Sequence, residues 1–207
     1  MIALIDYGAG NLTSVRKALA YLGARFETPT RGEDLSDVDA VIVPGVGNFE
    51  ATTALNDHWR RLIAAAVERG SPLLGICLGL QWFFDGSDEA PNIVGFGAMA
   101  GRCRMIERED GDTSVVGPFK VPHVGWNSLH RMRDSWALDG VTEGDQVYFT
   151  HSYAAPVTED CVGSTRYGVE FASVVERGHL VGVQFHPEKS GDVGLRILKN
   201  FLNRVDS

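Results

Sequence analysis

Two short stretches carry residue types that could do chemistry together. The first is Gly75-Ile76-Cys77-Leu78-Gly79, a G-x-C-x-G pentapeptide that follows the apolar run Pro72-Leu73-Leu74 and opens Leu80-Gln81-Trp82-Phe83-Phe84. A thiol on a sharp strand-to-helix turn is a presented nucleophile, and it needs small neighbours because strand and helix pass close to it. If a helix begins just after Cys77, its unpaired N–H groups and positive end favour the thiolate and can also hold an oxyanion. The same residues also suit a small buried thiol between packing glycines. The second stretch is His186-Pro187-Glu188. Proline pushes the residue before it into an extended conformation, where i and i+2 project to the same side. Glu188 is therefore expected to reach one imidazole nitrogen of His186 while the other faces a nucleophile. A thiol, an imidazole and a steadying carboxylate suffice for attack on an amide or ester carbonyl, with the imidazolium then protonating the leaving nitrogen. An isolated His-x-Glu is usually a solvated strand end; its company with G-x-C-x-G on an α/β sheet argues for the catalytic reading.

The elements that must position these residues alternate between buried strands and amphipathic helices. Ile2-Ala3-Leu4-Ile5 reads as a first strand, followed by a helix with Leu12, Val15, Leu19 and Leu22 on one face and a stop at Gly23. Arg25–Thr28 and Asp39–Val43 read as further strands, the second ending in Pro44-Gly45-Val46-Gly47. A strand that stops in Pro-Gly-x-Gly frees backbone N–H groups where α/β sheets place ligands, and a plain turn is the simpler alternative. Trp59, Leu62, Ile63, Ala66 and Val67 form a second helical stripe before the strand that delivers Cys77. Gly95–Asn127 is glycine-rich with short alternating segments and is expected to form antiparallel hairpins. Val147–Thr150 reads as another strand, and Val169–Val175 and Leu180–Phe185 as a hairpin turning at Gly178. A last helix follows, with Ser190 or Asp192 as its cap. The expected fold class is α/β, a mainly parallel doubly wound sheet with helices on both faces and flanking antiparallel hairpins. One domain over residues 1–207 is expected, since no linker or repeat interrupts the pattern.

Composition narrows the chemistry further. The 207 residues are 44% hydrophobic, ordinary for a globular core, and the net charge of -8 argues against a nucleic-acid surface. Three cysteines, Cys77, Cys103 and Cys161, make no regular framework, and the start of the chain has no basic segment before its apolar run. These features suit a reducing cytoplasm. No stretch approaches the ~20 apolar residues of a membrane span. Gly8-Ala9-Gly10 lacks the third glycine of G-x-G-x-x-G, since position 13 is Thr13, and the other histidines lack ligand spacing. No cofactor and no metal are expected.

Several separated motifs together resemble the class I (triad) glutamine amidotransferases, most of all their glutaminase subunits of histidine biosynthesis. They are Asp6-Tyr7-Gly8-Ala9-Gly10-Asn11, Pro44-Gly45-Val46-Gly47, Gly75-Ile76-Cys77-Leu78-Gly79-Leu80-Gln81, Pro122-His123-Val124-Gly125-Trp126-Asn127, Tyr148-Phe149-Thr150-His151-Ser152-Tyr153 and Phe185-His186-Pro187-Glu188-Lys189-Ser190. Val124 stands where methionine is expected and Thr150 where valine is common. The resemblance implies Cys77 as nucleophile, His186 as acid-base residue and Glu188 as its orienting partner. It implies glutamine binding at Gly47, Gln81, Ser152 and Tyr153. Oxyanion donors are expected from the N–H of Leu78 and, through rotation of a peptide in the Pro44–Gly47 loop, from Val46. The implied partner is a (β/α)8-barrel cyclase, the other subunit of a heterodimeric imidazole glycerol phosphate synthase, facing Trp126, Asn127, Tyr148 and Lys189. A free-standing γ-glutamyl hydrolase could use the same triad, and a thiol sensor on a related fold would not need His186-Pro187-Glu188.

Overall fold

The structure is a computed structural model that describes residues 1–10, 12–115 and 117–205; Asn11, the end of the first motif, lies outside them. The chain begins with strand β1 (Ile2–Leu4), helix α1 (Leu12–Tyr21), β2 (Phe26–Glu27), β3 (Ala40–Gly45), α2 (Asp57–Glu68), β4 (Leu73–Cys77) and α3 (Leu78–Trp82). It continues with β5 (Gly86–Ser87), β6 (Arg102–Met105), β7 (His123–Ser128), β8 (His130–Arg131), β9 (Gln146–His151) and β10 (Tyr153–Ala154). It closes with β11 (Cys161–Tyr167), β12 (Val169–Arg177), β13 (Leu180–Val183) and α4 (Gly191–Val205). Eight strands form the main sheet in the order β2-β1-β3-β4-β13-β12-β11-β8. From β2 to β13 every pairing is parallel, and beyond β13 the pairings are antiparallel.

Continuous apolar strands are what a sheet covered on both faces requires. Alternate residues serve opposite layers: Leu4, Ile42, Leu74, Val181 and Val183 pack with Leu19 of α1 and Phe201 of α4. Ala3, Val41, Val43, Leu73 and Leu180 face the other way, toward Ile63 and Ala66 of α2. The doubly wound α/β architecture is therefore as expected, and among the described residues no helix is long and apolar enough to cross a membrane.

Four local expectations need correction. Strand β3 runs on through Pro44 and Gly45, because its pairing with β1 stops at Ile42 and the missing N–H of Pro44 breaks no ladder there. Residues Gly95–Asn127 hold strands but not sequential hairpins: β6 pairs with β5 and β10, and β7 pairs with β9. Strand β11, which the sequence reading passed over, crosses β12 with a register shift near Gly163. Ser190 does not cap α4 with its side chain; its hydroxyl donates to the His186 carbonyl at 2.6 Å and accepts from the Tyr148 N–H at 2.9 Å.

Candidate active site

Three parallel strands end side by side and deliver the site. Gly45 of β3 is in register with Cys77 of β4, and Val183 of β13 is in register with Ile76. The segments leaving these strands, Val46-Gly47, Leu78 and Gln184-Phe185-His186, therefore emerge at one edge, where α/β sheets bind ligands.

Cys77 has φ 53 and ψ -102, and among the described residues no other non-glycine residue has a positive φ. Such a backbone costs about 1–3 kcal/mol and persists only where its surroundings enforce it. The flanking glycines do so by allowing contact. A Cβ on Gly79 would lie 1.9 Å from the Val43 carbonyl oxygen, and one on Gly75 would lie 2.6 Å from the Gly79 carbonyl. Helix α3 has only five residues, so what it presents at Cys77 is the local N–H of Leu78 rather than the field of a long helix.

His186 is extended, at φ -97 and ψ 98, as the proline after it requires. Glu188 is not extended as the spacing argument supposed; it lies in a 3-10 turn, Pro187–Lys189. The turn still brings its carboxylate Oε1 to 2.8 Å from His186 Nδ1. The imidazole backbone is anchored by its N–H donating to the Tyr148 carbonyl at 2.9 Å. Burial opposes charge on His186, but Cys77 and then Glu188 outweigh it and raise the imidazole to about 9. Nε2 of His186 and Oε2 of Glu188 are buried without a hydrogen-bond partner in the protein. With Nδ1 taken by Glu188, Nε2 is the ring nitrogen left to face a nucleophile or a leaving group.

A cavity of about 340 Å³ opens over Cys77 and Leu78, and Gly47, Gln81, Ser152 and Tyr153 all line it. The positions expected to bind glutamine are thus brought together. Gln81 Nε2 donates to the Tyr153 carbonyl at 2.8 Å and to Gln184 Oε1 at 3.1 Å. The Val46 N–H donates to the Ala9 carbonyl at 2.9 Å, so it would turn to an oxyanion only after the rotation expected of this loop. Trp126 and Tyr148 meet edge to face at 6.0 Å, with Lys189 Nζ 5.9 Å from the Tyr148 ring centroid. Asn127 stands apart from that trio, its amide donating to the Arg166 carbonyl at 3.1 Å and facing His123.

Two residues around Cys77 and the cavity escaped the sequence reading. Glu89 lines the cavity and accepts the Phe49 N–H at 2.7 Å. Gln184 is fully buried and donates to Cys77 Sγ at 3.5 Å. A polar residue inside an otherwise apolar run, Leu180–Phe185, is the signal that could have flagged it.

Known proteins resemble this chain in sequence and in fold. The imidazole glycerol phosphate synthase subunit HisH of Geobacillus kaustophilus (strain HTA426) is 48% identical over 206 residues, covering 98% of this chain and 96% of that one. The subunit of the same name from Geobacillus thermodenitrificans (strain NG80-2) is 46% identical, with 99% and 96% covered. A solved glutamine amidotransferase overlays with TM-score 0.73 at 18% identity, covering all of both chains. The structure of PurLQS from Thermotoga maritima matches with TM-score 0.72 at 18% identity, covering 98% of this chain and 97% of that one. The model of the family "Glutamine amidotransferase class-I" matches residues 3–205, and the chain belongs to that family.

Proposed function

We propose that this chain hydrolyses glutamine to glutamate and ammonia and delivers the ammonia to a cyclase subunit that makes imidazole glycerol phosphate in histidine biosynthesis. The observation that carries the chemistry is the buried His186–Glu188 pair, whose imidazole is held charged by Cys77 and Glu188, together with the cavity that Cys77 lines. The Cys77 sulfur attacks the side-chain amide carbon of glutamine, and the negative charge forming on the carbonyl oxygen is met by the Leu78 N–H. His186 gives its proton from Nε2 to the amide nitrogen, the C–N bond breaks, and ammonia leaves a γ-glutamyl thioester. The now neutral His186 takes a proton from water, whose oxygen attacks the thioester; glutamate departs and Cys77 is restored. Glu188 keeps the imidazole oriented and stabilises its charged form without taking the proton.

Gly47, Gln81, Ser152 and Tyr153 hold the substrate in this reading, and the Glu89 carboxylate suits the α-ammonium group. Trp126, Tyr148 and Lys189 form the face offered to the cyclase. The whole chain serves as one amidotransferase domain, which the match over residues 3–205 supports. The printed names of the relatives, subunits of a synthase, support the pairing with a second subunit. The test is ammonia release from glutamine by the chain alone and with its cognate cyclase. Turnover that rises with the cyclase is expected. No turnover in either case rejects the reading, and equal turnover in both favours a free-standing hydrolase.

A further inference from the structure

Two buried histidines beside the pocket have no part in the triad. His123 and His151 are 3% and 6% exposed and stand directly opposite each other on β7 and β9. His151 Nδ1 is 2.9 Å from the Tyr153 carbonyl oxygen, His151 Nε2 is 3.1 Å from His123 Nδ1, and His123 Nε2 is 3.3 Å from Asn127 Nδ2. These contacts determine both tautomers. A carbonyl can only accept, so His151 Nδ1 carries a hydrogen; a neutral ring then has a bare Nε2, and the hydrogen between the rings belongs to His123 Nδ1. That leaves His123 Nε2 bare to accept the Asn127 amide. Every donor points one way, toward the pocket.

Burial keeps both rings neutral, holding His123 down to about 4. It holds His151 down to about 3 against the pull of the Tyr153 carbonyl, with the charges of His123 and His186 adding to the depression. A neutral relay suits this position, because a cation at 151 would compete with the proton on His186. The chain does not stop at Tyr153. That carbonyl also accepts from Gln81, whose amide donates in turn to Gln184, and Gln184 donates to Cys77 Sγ.

We infer that His123 and His151 are positioning residues for glutamine hydrolysis: a one-way hydrogen-bond chain from Asn127 fixes the Tyr153 carbonyl and, through it, where Gln81 and Gln184 stand against Cys77. The inference rests on the function proposed above.

Two substitutions separate donation from packing, because the His123 ring is also stacked between Tyr167 at 4.0 Å and Phe149 at 4.8 Å. His123→Phe keeps the stack and removes the donor. His123→Asn keeps a donor near the place of Nδ1 and loses the stack. With the cyclase bound, His123→Phe should raise KM for glutamine roughly tenfold, the effect of about one buried hydrogen bond, with kcat much less altered. His123→Asn should stay closer to wild type. The reverse order overturns the inference, since it would mean that His123 only packs. The imidazole ¹⁵N spectrum of the wild-type chain at pH 6 decides the matter even if a variant does not fold. Both rings should be neutral with hydrogen on Nδ1, and an Nε2–H tautomer or a protonated ring at either position overturns the inference. A wild-type complex without glutaminase activity removes the functional reading and this inference with it, whereas the reverse order of variants in an active complex removes this inference alone.

Discussion

His186 Nδ1 and Glu188 Oε1 meet at 2.8 Å with both side chains almost wholly out of water, at 3% and 2% exposure. Removing one member of such a buried pair strands the other, so the two residues are coupled in stability and in chemistry. Glu188→Gln keeps an acceptor for Nδ1 but removes the charge. His186 should then fall from about 9 toward its ordinary value, measured by NMR titration of the ring. Turnover should fall less than in His186→Ala, and His186→Ala combined with Glu188→Gln should cost little more than His186→Ala alone. Losses that simply add would show that the two residues act independently.

Only one of the three cysteines should react with a glutamine analogue. Cys103 is buried and its thiol is pushed far up by burial, despite the neighbouring Arg102. Cys161 is likewise raised by burial, to about 11, so both stay protonated and inert at neutral pH. Label should map by mass spectrometry to Cys77 and vanish in Cys77→Ala, and Cys77→Ser should abolish turnover. Label retained on Cys103 or Cys161 in Cys77→Ala would remove Cys77 from its assigned role.

The histidines also predict how stability depends on pH, and they act in opposite directions. His186 is raised in the fold, so its contribution is fully present below its unfolded value of ~6.5 and is lost as pH climbs through about 9. His123 and His151 are depressed to about 4 and 3. In the unfolded chain they take up protons below ~6.5 while the folded protein does not, so stability falls as pH drops from there. Each contributes at most ~1.4 kcal/mol per pH unit. Urea unfolding at pH 7, 5.5 and 4.5 should show a shallower decline for His123→Asn than for wild type. Parallel declines would mean that His123 is already protonated in the fold.

How much of this was legible in the sequence depended on how locally each feature is determined. Gly75 and Gly79 announced a tight turn at Cys77: Gly75 is demanded by the close approach of β4 to α3, which the spacing implied, and Gly79 by the contact of α3 with Val43 of β3, which it did not. The His186–Glu188 contact was expected for the wrong backbone reason, because Pro187 starts a 3-10 turn instead of prolonging the extended segment. The relay through His123 and His151 could not be read, since two histidines 28 residues apart become neighbours only through the β7–β9 register. Glu89 and Gln184 were hidden for a related reason: Glu89 reaches the pocket, and Gln184 the Cys77 sulfur, only through tertiary packing.

The Val46 N–H donates to Ala9 at 2.9 Å and is therefore not aimed at a substrate oxygen above Cys77. In the proposed reaction Leu78 supplies one donor to the developing oxyanion, and a second is to come from the Pro44–Gly47 segment. Gly45 and Gly47 flank Val46, and Gly47 already sits at φ +102, so the peptides between them can rotate at low cost. A segment with two orientations is biased by contacts made in only one of them. Loss of one oxyanion donor typically lowers turnover by about 10² to 10³, so the isolated chain should be a poor glutaminase and docking of the cyclase should restore a factor of that order. Restraint of this kind has a chemical use: ammonia released into water is soon protonated and no longer nucleophilic. Gly45→Ala should remove the response, because a Cβ there would lie 2.1 Å from the Tyr7 hydroxyl and 2.8 Å from the Leu78 Cβ, which leaves the segment no room to turn. Glutaminase rates are to be compared for the chain alone, with the cyclase, and with the cyclase plus its nucleotide ligand. A stepwise rise supports the rotation, and equal rates in all three conditions would show that the second donor is never withheld.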